Sequence, residues 1–278
     1  MLISEIFGRS VNDTTEAAND IRSRKHCPFR ETPCTKTKKS DPLGVCTLSD
    51  GREAAAICPV RFLEGTAIFT SAARIAFGQG AQFAVFPEIK ILKTTPALDK
   101  KDSKIGKVDF LLGQVEGNKV TDFAALEVQA AYFSGFSIRP AFQHFLAHGA
   151  LDQQISNRRP DFRSSAQKRL MPQLQLKVPV FRRWGKKFFV VVDSQFFRSL
   201  PPFKPSTASN SEIIRLSFPI RNEGVRYALQ EPQVFGTQWD EVVSSLREGT
   251  APEPAEISAE LEQKLNAKQK TGPQILTA

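Results

Sequence analysis

Apolar residues along the chain fall into short alternating runs, interleaved with stretches of three- and four-residue spacing, a mixture that predicts strands and helices in one α/β protein. Helical spacing covers residues 12–25, where Thr14 or Thr15 can cap the start, and 60–77, around Phe62, Ile68, Phe69, Ala72 and Ile75. It returns at 140–157 and 161–170, with Pro140 and Pro160 near the two starts. Strand patterns occupy 81–92, where Pro87 suggests an edge or a bulge. They continue as two short runs in "VDFLLGQVEGNKV", joined by a turn at 116–118, and as a separate strand at 124–131. "KKFFVVVDSQFF" at 186–197 is the strongest strand candidate, and a further short strand runs through Phe218. Residues 26–58 and 200–209 are turn-rich, and from 250 the chain is polar, with one short charged helix at most.

Within the strand at 124–131, "ALEVQAAYFSG" puts Glu127 and Gln129 on one face and Leu126, Val128 and Ala130 on the other. A buried carboxylate is costly without a partner, so this pair invites a function. Asp109, in "KVDFLL", belongs to what should be the neighbouring strand. An Asp on one strand and Glu-x-(Lys, Gln or Glu) on the next is an arrangement that holds Mg²⁺ beside a scissile phosphate. Mg²⁺ takes oxygen ligands, polarises the phosphate and activates a bound water. Gln129 can orient that water by hydrogen bonding but brings no charge. Glu88, in "FPEIKI", could add a carboxylate or a general base. The plainer alternative is a pair of acids facing solvent.

Charge favours the functional reading. The net charge is +9, and the span 139–198 holds 12 Lys and Arg against 3 Asp, so the rest of the chain balances to zero. Such a segment suits a phosphate backbone, although a solvated basic face would look the same. All four cysteines, Cys27, Cys34, Cys46 and Cys58, lie in the first 58 residues, near Pro and Gly turns. In a protein of the reducing cytoplasm, clustered thiols read as a metal site for zinc or iron rather than as disulfides, with unrelated core cysteines as the alternative. "HFLAH" sets His144 and His148 on one helical face without a zincin glutamate, so they suit packing or phosphate contact better than metal ligation. Walker, GxSxG and dinucleotide fingerprints are missing, no apolar run is long enough to cross a bilayer, and "MLISEIFGRSVND" lacks a secretory pattern, so a cytoplasmic protein is expected.

"SEIFG" at 4–8, "CPF" at 27–29, "GVC" at 44–46, "CP" with Arg61 at 58–61, "FG" at 77–78, "LEVQ" at 126–129 and the following "AAYFSG" stand in an order that resembles the NotI/EagI group of type II restriction endonucleases over roughly residues 4–136. The resemblance implies a PD-(D/E)xK core, a mixed central sheet flanked by helices, with Gln in the lysine position. It implies Asp109 and Glu127 as Mg²⁺ ligands with Gln129 beside them, and Glu88 as a weaker match to a further acidic residue. It also implies a four-cysteine module holding iron or zinc, a homodimer, and a GC-rich palindromic site in double-stranded DNA, with no small-molecule substrate. The expected organisation is a metal-bound recognition module over 1–76, a catalytic domain over 77–249 carrying the basic segment 139–198, and a polar tail over 250–278. A non-catalytic DNA-binding protein and a less specific repair or defence nuclease are the competing readings.

Overall fold

The computed structural model describes residues 1–37, 40–93, 104–135, 137–151, 159–200, 202, 204–247 and 253–266. The N-terminal part builds a small antiparallel sheet from β1 (Leu2–Ile6), β2 (Val45–Ser49) and β3 (Ala54–Ala56), with Arg9–Ser10 outside β1. Every residue of β2 and β3 is buried, so the turn-rich segment expected at 26–58 holds two core strands. Between β1 and β2 in the chain stands α1 (Glu16–Ser23), whose N-cap Thr15 accepts the Ala18 N–H, as its spacing predicts.

The expected helix at 60–77 is divided. A 3₁₀ turn, Pro59–Leu63, is followed by α2 (Ala67–Phe77), and Gly65 between them adopts φ +58°. A left-handed residue cannot continue a right-handed helix, and Gly is the residue that takes that conformation cheaply. The next strands are β4 (Phe83–Lys93), β5 (Lys104–Glu116) and β6 (Lys119–Val128). Here β6 fuses the second short run with the strand expected at 124–131, and it ends at Val128, leaving Gln129 one residue beyond.

Helix α3 (Arg139–His148) stops at Gly149, which has φ +72°, well short of the 157 expected from spacing; residues 152–157 lie outside the described residues. The helix expected at 161–170 instead runs on. Phe162–Ser165 passes through a π-helical turn, Ala166–Leu170, into α4 (Met171–Arg183), despite Pro172 and Pro179. Pro172 follows the π-helical turn, in which the Met171 N–H reaches back to the Ala166 carbonyl, a local widening of the helix at the point where the proline supplies no donor. Pro179 removes one bond within α4, from the carbonyl of exposed Gln175, which water can serve. Strand β7 (Phe188–Asp193) ends earlier than the 186–197 expected, because Asp193 caps a short helix, Ser194–Arg198, by accepting the Phe196 N–H. Then come β8 (Ile213–Phe218), β9 (Gln233–Thr237), α5 (Trp239–Arg247) and the exposed α6 (Pro254–Asn266).

The central sheet has the order β9-β8-β7-β6-β5-β4. Strands β6, β7 and β8 run parallel, and β4, β5 and β9 run antiparallel to their neighbours, making a mixed sheet. Helix α2 covers one face with Ile68, Ala72 and Ala73, against Leu112, Leu126, Phe189 and Ile214. Helices α3 and α4 cover the other with Phe142, Phe145, Leu174 and Phe181, against Ala125, Phe188 and Val190, and Ile3, Ile6 and Leu48 of the small sheet join that same cluster. Both faces of β7 are therefore apolar, the pattern of a central parallel strand. On β6 the alternation predicted from sequence holds: Leu126, Val128 and Ala130 belong to the α2 side.

Candidate active site

The hairpin register fixes where the acids meet. Phe110 pairs with Leu126, so the next step puts Asp109 opposite Glu127, whose side chain faces α4. The two are locked by reciprocal bonds. The Asp109 N–H donates to Glu127 Oε1 at 3.2 Å, and the Val128 N–H donates to Asp109 Oδ2 at 2.9 Å. On the other side, Pro87 pairs with Phe110 and Ile89 with Val108, which sets Glu88 opposite Asp109. Three acidic positions thus form a row across β4, β5 and β6. Glu88 adopts φ +58°, a conformation that costs a non-glycine residue of order 1–3 kcal/mol and collects at functional sites. Its exposed side chain pairs with Lys107 at 2.9 Å, which holds its carboxyl below the usual range.

Glu127 is 3% exposed, and its burial is answered from α4. Lys177 Nζ donates to Glu127 Oε1 at 2.5 Å and to Gln173 Oε1 at 2.8 Å. Desolvation, reinforced by the neighbouring Asp109 charge, pushes Glu127 up to about 7 against the opposing pull of Lys177. Sequence reasoning missed Lys177. Its signal was a lone lysine between Leu174 and Val178 on an apolar helical stripe.

Two hollows of about 770 and 530 Å³ share Pro59, Val128 and Gln173, and so make one cleft. Glu88, Asp109, Arg30 and Thr32 line the first; Gln129, Tyr132, Lys168 and Arg169 line the second. Gln129 Nε2 donates to the Ala130 carbonyl at 2.7 Å, and the Arg169 guanidinium lies 4.4 Å over the Tyr132 ring. Of the basic segment 139–198, several cations are paired with carboxylates at the protein surface. Arg139 pairs with Asp41, Lys186 with Asp122, Arg198 with Glu53, and Arg182 with Glu212 and Asp240. The cleft takes Lys168 and Arg169 from that segment, both on the π-helical turn, and gains Arg30 from between Cys27 and Cys34.

The cysteines are free thiols, with Cys46 buried and the other three half-buried. Cys58 lies within electrostatic reach of Cys27, Cys34 and Cys46. Burial pushes those three thiols up, while backbone N–H groups aim at their sulfurs: Phe29 and Arg30 at Cys27, Lys36 at Cys34, Gly8 at Cys46. An N–H donor at a sulfur favours its thiolate, the form that ligates a metal, while burial favours the neutral thiol. Among the described residues, however, no group of three or more His, Cys, Asp or Glu side chains is closed tightly enough to hold a metal ion. At the carboxylate pair, Asp109 and Glu127 give two hard oxygen donors, a number that suits a cation completing its shell with water and phosphate oxygens. His144 and His148 stack on each other, centroids 4.2 Å apart, at an exposed helix end.

A mixed sheet carrying interlocked carboxylates on adjacent strands, with Asp109 lining a cleft that also takes Arg30, Lys168 and Arg169, defines a mixed α/β protein with a nuclease-like core. The family model of restriction endonuclease NotI matches residues 6–229, most of the chain. The chain therefore belongs to the NotI restriction endonuclease family, whose activity is that of a site-specific deoxyribonuclease, and its partner is DNA. No curated protein matches the chain. Among the described residues no helix is long and apolar enough to cross a membrane.

Proposed function

We propose that the protein is a type II restriction endonuclease that cleaves both strands of a GC-rich palindromic site with Mg²⁺, acting in the cytoplasm as a homodimer whose two-fold symmetry matches the site. The observation that carries this reading is the Asp109–Glu127 pair, bonded strand to strand where β5 and β6 meet the basic cleft. Asp109 and Glu127 would hold the cation, each keeping one carboxylate oxygen outside those bonds. Bound there, Mg²⁺ supplies a Lewis acid for the phosphate and lowers the pKa of water. Gln129 would orient the attacking water or a phosphate oxygen. Glu88 adds a third carboxylate or a general base at the cleft edge. Arg30, Lys168 and Arg169 would grip phosphates and, where they reach the major groove, guanine edges. The four cysteines would hold iron or zinc and so fix the loop that presents Arg30, making the PD-(D/E)xK core and its recognition module one DNA-binding surface.

A second reading, a DNA-binding protein without catalysis, draws support from Gln129, which brings no charge and already donates one amide N–H to the Ala130 carbonyl. One digestion separates the two. Unmethylated, GC-rich phage DNA is incubated with Mg²⁺ and either wild type or Glu127→Ala. Discrete fragments from wild type alone are expected, and mapped ends give the site and stagger. Uncut DNA with a gel shift common to both proteins leaves the binding reading, and a smear leaves a nuclease of low specificity. Elemental analysis of the purified protein is expected to find iron or zinc, lost in Cys58→Ser.

A further inference from the structure

Helix α4 turns Met171, Leu174, Val178 and Phe181 into the core, and Lys177 lies on that same buried side at 4% exposure. A lysine there is expensive unless paired, and it is paired twice: Glu127 at 2.5 Å and Gln173 at 2.8 Å take two of its three donors. Stability alone does not account for the pair. Replacing a buried ion pair with apolar residues of similar volume is often neutral or stabilising. What distinguishes this pair is its location, because one partner is a carboxylate bonded to Asp109 and the other is Gln173, which lines both halves of the cleft. Strand β6 itself offers no cation next to Glu127. The residue following on the same face is Gln129, neutral and already donating to a backbone carbonyl.

We propose that Lys177 is the positioning cation of the cleavage site: from α4 it fixes the Glu127 carboxylate and supplies the positive charge that Gln129 does not. The inference rests on the reading of the cleft as a DNA-cleaving site. Cleavage builds negative charge on the phosphate oxygens beside Glu127, and a preorganised ammonium one carboxylate away offsets that charge without reorganising. Before any cation binds, the same ammonium shares Oε1 and keeps Asp109 and Glu127 side by side.

The test compares wild type, Lys177→Gln and the double variant Gln129→Lys/Lys177→Gln on plasmid DNA with a mapped site. It also measures the affinity of the DNA-free proteins for Mn²⁺ alone by calorimetry. Removing one preorganised charge should lower kcat by about 100-fold with KM within roughly threefold, since the lost interaction acts in the transition state. Mn²⁺ should bind Lys177→Gln at least about threefold more tightly, because a like charge has left the site; a merely structural role predicts the opposite or no change. The double variant should recover roughly tenfold or more in kcat and return Mn²⁺ affinity towards wild type, its lysine now standing beside β6. The inference is overturned if Lys177→Gln cuts like wild type, if its Mn²⁺ affinity does not rise, or if the double variant folds and stays as slow. If Lys177→Gln fails to fold, the double variant decides alone: cutting supports the inference and folded inertness removes it. A wild type that cuts no DNA overturns the endonuclease reading and this inference together, whereas a cutting wild type beside an unaffected Lys177→Gln removes the inference alone.

Discussion

Arg61 is fully buried, and each of its nitrogens meets an oxygen. Nε donates to Glu5 at 2.7 Å, one terminal nitrogen to Glu64 at 2.8 Å and the other to the Tyr227 carbonyl at 2.8 Å, with the Phe29 ring 4.7 Å from the guanidinium carbon. One side chain thereby joins β1, the cysteine loop and the separate hairpin strand Tyr227–Leu229. Arg61→Met leaves Glu5 buried without its cation, a loss of about 3–5 kcal/mol, to be read as a lowered urea midpoint at unchanged m-value. Asp193 offers a test by pH. Burial pushes it up to about 6 from an ordinary 3.8, against the pull of N–H donors from Phe196, Ala56 and Gln195. The folded state therefore holds this proton more firmly than the unfolded chain, so its contribution to stability is full below pH 4 and is lost as pH rises through about 6. Relative to Asp193→Asn, which does not titrate, wild type should lose roughly 2–3 kcal/mol of stability between pH 4 and pH 7. Parallel pH–stability curves for the two proteins would rule this out.

At the scale of elements, the two runs on either side of Gly117 and Asn118 were legible as strands and a turn, but Glu127 was expected on a separate strand that the structure fuses with the second run. The fused hairpin brings Asp109 and Glu127 together, since register is a local property of a tight hairpin. Helix α4 was not legible. Pro172 and Pro179 are breakers by local rules, and Lys177 interrupts the apolar stripe, until packing against β6 overrides all three. Its bond to Glu127 spans 50 residues and leaves no periodic trace. The small N-terminal sheet hid for a similar reason. Glu5, polar in the middle of β1, is neutralised by a partner 56 residues away. Within that sheet Gly44 offers a prediction. A Cβ there would stand 2.4 Å from the Phe7 ring, which is buried at φ +49° and cannot yield. Gly44→Ala should cost about 1–3 kcal/mol by overpacking, measured by denaturant titration, and should loosen β2 where it carries Cys46. An unchanged midpoint would mean that Phe7 has room to move.

Across the whole molecule, the distribution of charge says more about DNA than its total does. The surplus of +9 sits in 139–198, yet Arg139, Arg182, Lys186 and Arg198 are paired at the surface with carboxylates from elsewhere in the chain. The cations facing the cleft come from two distant places: Lys168 and Arg169 on the π-helical turn, and Arg30 on the cysteine loop. Arg169 is also braced by Tyr132, so it reaches the cleft with part of its side-chain entropy already lost. A duplex gripped from both walls should release counterions at each. Affinity for a short DNA duplex, followed by fluorescence anisotropy across a salt series in EDTA, should fall linearly in log–log form. Arg30→Ala and Lys168→Ala should each reduce that slope by about one, and the double change by about two, because each cation neutralises its own phosphate. Arg182→Ala and Arg198→Ala, of equal formal charge but paired with carboxylates away from the cleft, should leave the slope near its wild-type value. If all four substitutions lowered the slope alike, the DNA would be answering to net charge, and the cleft would lose its claim to be the binding surface.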